Sequence, residues 1–157
     1  MLRYILYTDG GARGNPGPAG AGAVICDEHG EVLKELHQAL GRATNNFAEY
    51  QALLRALEVA VDMYGDNLRN LHIEVRMDSE LVVRQLSGLY KVKEQTLKLQ
   101  FAEVARLREA LEEIVADGLE NKYTRIARAA ISGMKGDYGR PLGLMPNLLV
   151  VPPSLES

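Results

Sequence analysis

Tyr4-Ile5-Leu6-Tyr7-Thr8-Asp9-Gly10-Gly11-Ala12-Arg13-Gly14-Asn15-Pro16-Gly17-Pro18-Ala19-Gly20-Ala21-Gly22-Ala23-Val24-Ile25-Cys26 is the stretch on which the reading of the whole chain turns. An apolar run ends in a lone carboxylate, a turn rich in Gly and Pro follows, and a second apolar run comes back. Such a pattern predicts a strand, a wide turn and a returning strand. An aspartate embedded in a strand is costly to bury unless something pairs with it. Taken alone, Asp9 reads equally well as a turn cap and as a functional acid.

Outward from this stretch, the first strand is expected over residues 3–9, the second over 20–27 and the third over 32–41. Asp27-Glu28-His29-Gly30 forms the hairpin turn between the last two, which makes an antiparallel meander. At Thr44 the period changes. Ala48, Ala52, Ala56, Ala60 and Met63, beside Glu49, Leu53, Leu57 and Tyr64, recur at helical intervals until Gly65, with Thr44 or Asn45 as the cap. Leu71-His72-Ile73-Glu74-Val75-Arg76-Met77 alternates with period two and ends at Asp78, a fourth strand with an acid at its C-terminal end. Ser79 caps a short helix over residues 80–86, and a polar segment leads into a long amphipathic helix from about residue 96 to 115. Three antiparallel strands, a helix, a strand and further helices describe an α/β layer with a mixed sheet. A right-handed crossover would then lay the fourth strand parallel to the first.

The 157 residues suit one domain with a sizeable core, or a smaller domain with an appendage. A balance of 18 basic against 21 acidic residues gives −3, so no global basic field advertises a polyanionic partner, and any grip on nucleic acid must be local. One cysteine, Cys26, inside an expected strand, rules out a disulfide framework or a cysteine metal site within one chain and fits a reducing cytoplasm. No apolar run approaches membrane-spanning length.

If the first and fourth strands are central neighbours, Asp9 and Asp78 lie side by side, and the helix between them can aim Glu49 at the same point. Each acid has a bland alternative: Asp78 before Ser79 favours the start of a helix. Glu49, however, lies on the side of its helix that carries apolar residues, where a merely solvated glutamate is out of place. Three converging acids repel strongly unless a cation neutralises them. Carboxylate oxygens without Cys or His favour the hard ions Mg²⁺ or Mn²⁺, and two such ions about 4 Å apart can activate a water and stabilise the leaving oxygen in phosphodiester cleavage.

Thr8-Asp9-Gly10-Gly11, Gly14-Asn15-Pro16-Gly17-Pro18-Ala19-Gly20, Ala43-Thr44-Asn45-Asn46-Phe47-Ala48-Glu49-Tyr50-Gln51-Ala52 and Asp78-Ser79-Glu80-Leu81-Val82-Val83-Arg84-Gln85-Leu86 resemble ribonuclease HI in its short form, without an extended basic protrusion. The resemblance covers residues 1 to about 112. It implies a ribonuclease H-like three-layer α/β fold: a mixed five-stranded sheet, three strands antiparallel and the rest parallel, flanked by helices. It implies endonucleolytic cleavage of the RNA strand of RNA/DNA hybrids with two Mg²⁺ or Mn²⁺ ions, and it places Asp9, Glu49 and Asp78 in the catalytic and metal-binding set. It also implies that Gly11, Asn15, Asn45, Asn46 and Gln85 contact the hybrid through amides in the minor groove, where RNA 2′-hydroxyls are accessible. Arg13, Arg42, Lys91 and Lys93 are candidates for local electrostatic help. His29, His37 and His72 match no position of the family's mobile catalytic histidine.

Beyond the long helix the chain departs from that family. The fifth strand and the helix bearing a fourth metal-associated aspartate are not evident; Arg125-Ile126-Ala127 echoes that helix without its acid, and Asp117, Glu120, Asn121 and Asp137 are substitutes without motif support. Residues 117–157, with Gly139-Arg140-Pro141-Leu142-Gly143 and Leu148-Leu149-Val150-Val151-Pro152-Pro153, are similar to a stretch of Mu-like phage major head subunits, as in a fusion. The chain therefore divides into a ribonuclease H-like part, 1–115, and an atypical C-terminal part, 116–157, that could pack on the same domain. Leu148-Leu149-Val150-Val151 is expected to fill the sheet edge beside the fourth strand. The leading function is a metal-dependent ribonuclease H weakened by loss of the fourth acid. A catalytically silent hybrid-binding module is the alternative, and a capsid-derived structural protein is a third.

Overall fold

Small residues let the strands run further than their apolar centres suggest. In the computed structural model, which describes residues 2–65, 71–107, 111–116, 123 and 125–127, β1 spans Leu2–Ala12, β2 Gly17–Asp27 and β3 Val32–Ala43. The Gly/Pro-rich turn between β1 and β2 is thereby reduced to residues 13–16, closed by the Arg13 N–H donating to the Pro18 carbonyl at 2.8 Å. At the next turn Asp27 Oδ1 accepts from the N–H groups of His29 and Glu31, both at 2.9 Å, and Gly30 takes a φ of 82°. The side-chain acceptor and the positive-φ glycine together make the hairpin expected at this point.

The helix α1 spans Asn45–Tyr64. Thr44 is its cap, with Oγ1 accepting from the Phe47 N–H at 3.2 Å; this settles the choice between Thr44 and Asn45. Strand β4, Leu71–Met77, is followed by α2, Glu80–Leu86, capped by Ser79 Oγ on the Val82 N–H as expected. Helix α3 spans Gln95–Arg106, and β5 spans Leu111–Ala116.

The sheet order is β3-β2-β1-β4-β5, antiparallel across the first three strands and parallel from β1 to β4 to β5. The expected mixed five-stranded sheet is present. Its fifth strand, however, corrects the sequence reading in two ways. The helix expected over residues 96–115 stops near residue 107, and the chain after it supplies the strand thought absent. That strand occupies the edge of β4, the place assigned to Leu148–Val151; those four residues themselves lie outside the described ones.

The main core lies between the sheet and α1. Leu6, Ile25, Leu53, Leu57, Ile73 and Val75 are all fully buried in it, and alternate residues of β1 and β4 face this side. A smaller cluster forms around Tyr7, Val24, Cys26 and Ala127, with Ile5, Tyr123 and Ile126 packed against it. Residues 123 and 125–127 are helical. The Tyr123 ring stacks on Tyr7 with centroids 4.5 Å apart, and its hydroxyl donates to the Gly30 carbonyl at 2.6 Å. This piece of the C-terminal part therefore packs on the sheet. No helix among the described residues is long and apolar enough to cross a membrane.

Candidate metal centre

The parallel pairing of β1 with β4 matches Thr8 to Met77, so the residues that follow, Asp9 within β1 and Asp78 just past the end of β4, stand at the same level of the sheet. The neighbour of Asp9 across β2 is Gly22, which adds no side chain there. Glu49 comes from the first turns of α1, and Gly10 explains how it reaches so far. A Cβ on Gly10 would lie 2.2 Å from the Ala48 carbonyl oxygen and 2.6 Å from the Glu49 nitrogen. The helix backbone thus rests directly on β1 at the residue after Asp9, and only glycine admits that approach.

Asp9, Glu49 and Asp78 each offer a carboxylate oxygen, and these oxygens lie within 4.8 Å of one another. Asp9 is 2 % exposed, Glu49 is 6 % exposed and Asp78 is half-buried. Three carboxylates at this spacing, mostly out of water, form a strongly anionic pocket whose natural counter-charge is a multivalent cation. The donor set is all oxygen, which suits a hard divalent ion of the Mg²⁺ or Mn²⁺ kind. The residues therefore fit such a group.

The other residues singled out in the sequence fall in several places. Asn15, exposed in the β1–β2 turn, accepts the Asn45 N–H on its Oδ1 at 3.0 Å, and Asn45 in turn accepts the Ala12 N–H on its own Oδ1 at 2.8 Å. These bonds lace the turn to the start of α1. Asn46 is half-buried beside them, and Gly11 is buried within β1 opposite Gly20. Gln85 is 5 % exposed, and its Oε1 accepts from the buried Tyr50 hydroxyl at 2.6 Å. Arg13 and Arg42 are exposed on the rim that holds Asn15, and Lys91 and Lys93 are exposed between α2 and α3. His29 and His37 are exposed and His72 is half-buried on β4. Asp117, Glu120, Asn121 and Asp137 lie outside the described residues.

Two features escaped the sequence reading. One is the Gly10 contact, visible in sequence only as a glycine after the acid. The other is Tyr50, which the sequence reading quoted only as part of the motif around Glu49. Burial pushes the Tyr50 phenol up to about 12.

A sheet of this order with three acids gathered where β1 and β4 meet the start of α1 defines a class: a ribonuclease H-like domain with a carboxylate centre. Residues 7–128 match the family described as reverse transcriptase-like. Residues 111–157 match the Mu-like prophage major head subunit gpT. Among solved structures the chain is similar to LC11-RNase H1 in complex with an RNA/DNA hybrid, a protein isolated from compost, with 49 % identity, a TM-score of 0.72, and coverage of 82 % of this chain and 96 % of that one. It is also similar to the N-terminal RNase H domain of a Mycobacterium tuberculosis protein, with 38 % identity and a TM-score of 0.71 over 83 % of this chain and 94 % of that one. The chain belongs to the ribonuclease H-like family.

The curated relatives are longer. A bifunctional protein of M. tuberculosis is 50 % identical over 97 residues, which are 61 % of this chain but 25 % of that protein. The ribonuclease HI of Halobacterium salinarum is 46 % identical over 96 residues, again 61 % of this chain and 46 % of the relative. The chain thus spans less than half the length of either.

Proposed function

We propose that this chain is a metal-dependent endoribonuclease that cleaves the RNA strand of RNA/DNA hybrids. The observation that carries the reading is the meeting of Asp9, Glu49 and Asp78 within 4.8 Å of one another. These three side chains would hold two Mg²⁺ or Mn²⁺ ions. When bound, such ions supply activation of the attacking water and stabilisation of the leaving oxygen at the scissile phosphate.

The chain's own groups do the rest. The carboxylates fix where the cations sit, and their burial strengthens the electrostatics there. Because the Asn15 and Asn45 side-chain oxygens are committed to backbone N–H groups, their amide N–H₂ groups are the ends left to donate. Donors of that kind suit the 2′-hydroxyls and base acceptors of a minor groove and need no net positive charge. Asn46, the Gly11 backbone and the Gln85 amide nitrogen belong to the same proposed contact set, with Arg13, Arg42, Lys91 and Lys93 toward phosphates. A weakened activity, from the missing fourth acid, is part of the proposal, as are a cytoplasmic location and the division into residues 1–115 and 116–157.

The departure from the family pattern at the fourth acid also supports the second reading, a silent hybrid-binding module. One assay decides between them: the purified chain with a labelled RNA/DNA hybrid in Mg²⁺, Mn²⁺ or chelator, beside Asp9→Asn. Cleavage that needs both the ion and Asp9 supports the enzyme. Binding without cleavage in either ion selects the module.

A further inference from the structure

We infer that Tyr50 and Gln85 are positioning residues for the carboxylate centre: their hydrogen bond ties the helix carrying Glu49 to the helix that starts behind Asp78, and so sets the spacing of those two acids. The inference rests on the cation-binding reading of the cluster.

Tyr50 directly follows Glu49 on α1, and its side chain is fully buried. Its hydroxyl donates to Gln85 Oε1 at 2.6 Å, inside the protein. Gln85 belongs to α2, whose first turn is fixed by Ser79: its Oγ accepts from the Val82 N–H at 3.3 Å and its carbonyl from the Val83 N–H at 3.2 Å. Ser79 is the residue after Asp78. The bond therefore closes a loop that runs from Glu49 to Tyr50, across to Gln85, and back along a two-turn helix to Asp78.

The first turn of α1 is held on its other sides too. Gly10 lets it rest on β1, and from α3 the Gln100 side-chain amide donates to the Phe47 carbonyl at 3.0 Å and to Gln51 Oε1 at 3.3 Å. The Tyr50–Gln85 bond adds the constraint toward α2. Stability alone does not call for a polar pair here. A buried hydrogen bond contributes little net over an apolar pair of the same shape, because both partners give up water to make it. What a hydroxyl and a carboxamide add is direction: apolar side chains slide against each other at small cost, whereas a hydrogen bond weakens steeply with misalignment.

The test is Mn²⁺ titration of the full chain by calorimetry, at a temperature where circular dichroism shows each variant folded. Tyr50→Phe and Gln85→Met remove the bond while keeping shape, and Leu57→Ala, a buried site further along α1, serves as a control for lost stability. Tyr50→Phe and Gln85→Met are expected to weaken Mn²⁺ binding about tenfold, the lower end for residues that orient metal ligands. The double variant should be no weaker than the weaker single one, since both remove the same bond. Leu57→Ala should bind as the unaltered chain does while melting lower. Unchanged Mn²⁺ affinity in both variants overturns the inference, as does equal weakening in Leu57→Ala. Should one variant not fold, the other decides; failure of both to fold also overturns it, because the bond then holds the fold rather than the site. No Mn²⁺ binding by the unaltered chain overturns the cation-binding reading itself, and this inference with it.

Discussion

At Gly10 one methyl group separates a working approach of helix to strand from a collision. Its Cβ would fall 2.2 Å from the Ala48 carbonyl oxygen, a backbone atom that cannot swing aside. Gly10→Ala should therefore push the start of α1 off β1, lower stability by about 1–3 kcal/mol in thermal unfolding, and weaken Mn²⁺ binding through displaced Glu49. Asp9→Asn should behave differently: hybrid cleavage should fall at least about 10³-fold, some 4 kcal/mol of barrier. Without metal its melting temperature should hold or rise, because one of three crowded negative charges is gone. The three acids were legible in the sequence because each breaks a local pattern: Asp9 and Asp78 end apolar strands, and Glu49 sits on an apolar helix face. The Asn15–Asn45 lacing and the Tyr50–Gln85 bond were not, because the partners lie 30 and 35 residues apart and neither residue is unusual where it stands.

The helix α1 carries the site's third acid just past its capped first turn. Thr44→Ala removes the acceptor for the Phe47 N–H and should cost about 1 kcal/mol in denaturant unfolding. The same helix gives a pH dependence. Burial raises the Tyr50 phenol from its ordinary 10.0 to about 12, so the folded state keeps the proton that the unfolded chain releases. Its contribution is whole below about pH 10 and is lost as pH rises toward 12. Stability of the unaltered chain should fall over that window, and Tyr50→Phe should flatten the fall in a series of alkaline melts. Most elements were readable from period and caps: the cap at Ser79 and the helix Glu80–Leu86 stand where the sequence put them. The failure at Leu111–Ala116 has a physical cause. Leu111-Glu112-Glu113-Ile114 continues the helical spacing of the residues before it, and what makes it a strand is the open edge of β4, a partner about 40 residues away that no local window contains.

For the molecule as a whole, a net charge of −3 limits how strongly it can hold a polyanion. If Arg13, Arg42, Lys91 and Lys93 make the phosphate contacts, the salt dependence of hybrid binding should have a log–log slope no steeper than about −4; a slope near −8 would point to further cations. The C-terminal part was readable as a second resemblance, yet composition gave no sign that Tyr123 would reach the β2–β3 turn and stack on Tyr7. The order of the sheet, with α1 laid on β1, brings three acids distant in sequence to one point. Crystals of the chain soaked in Mn²⁺ and measured at the manganese absorption edge test that claim most directly. The account predicts anomalous peaks about 2.1 Å from carboxylate oxygens of Asp9, Glu49 and Asp78, with a second peak about 4 Å from the first when hybrid is bound. Peaks elsewhere on the surface, with none among these three side chains, would contradict it.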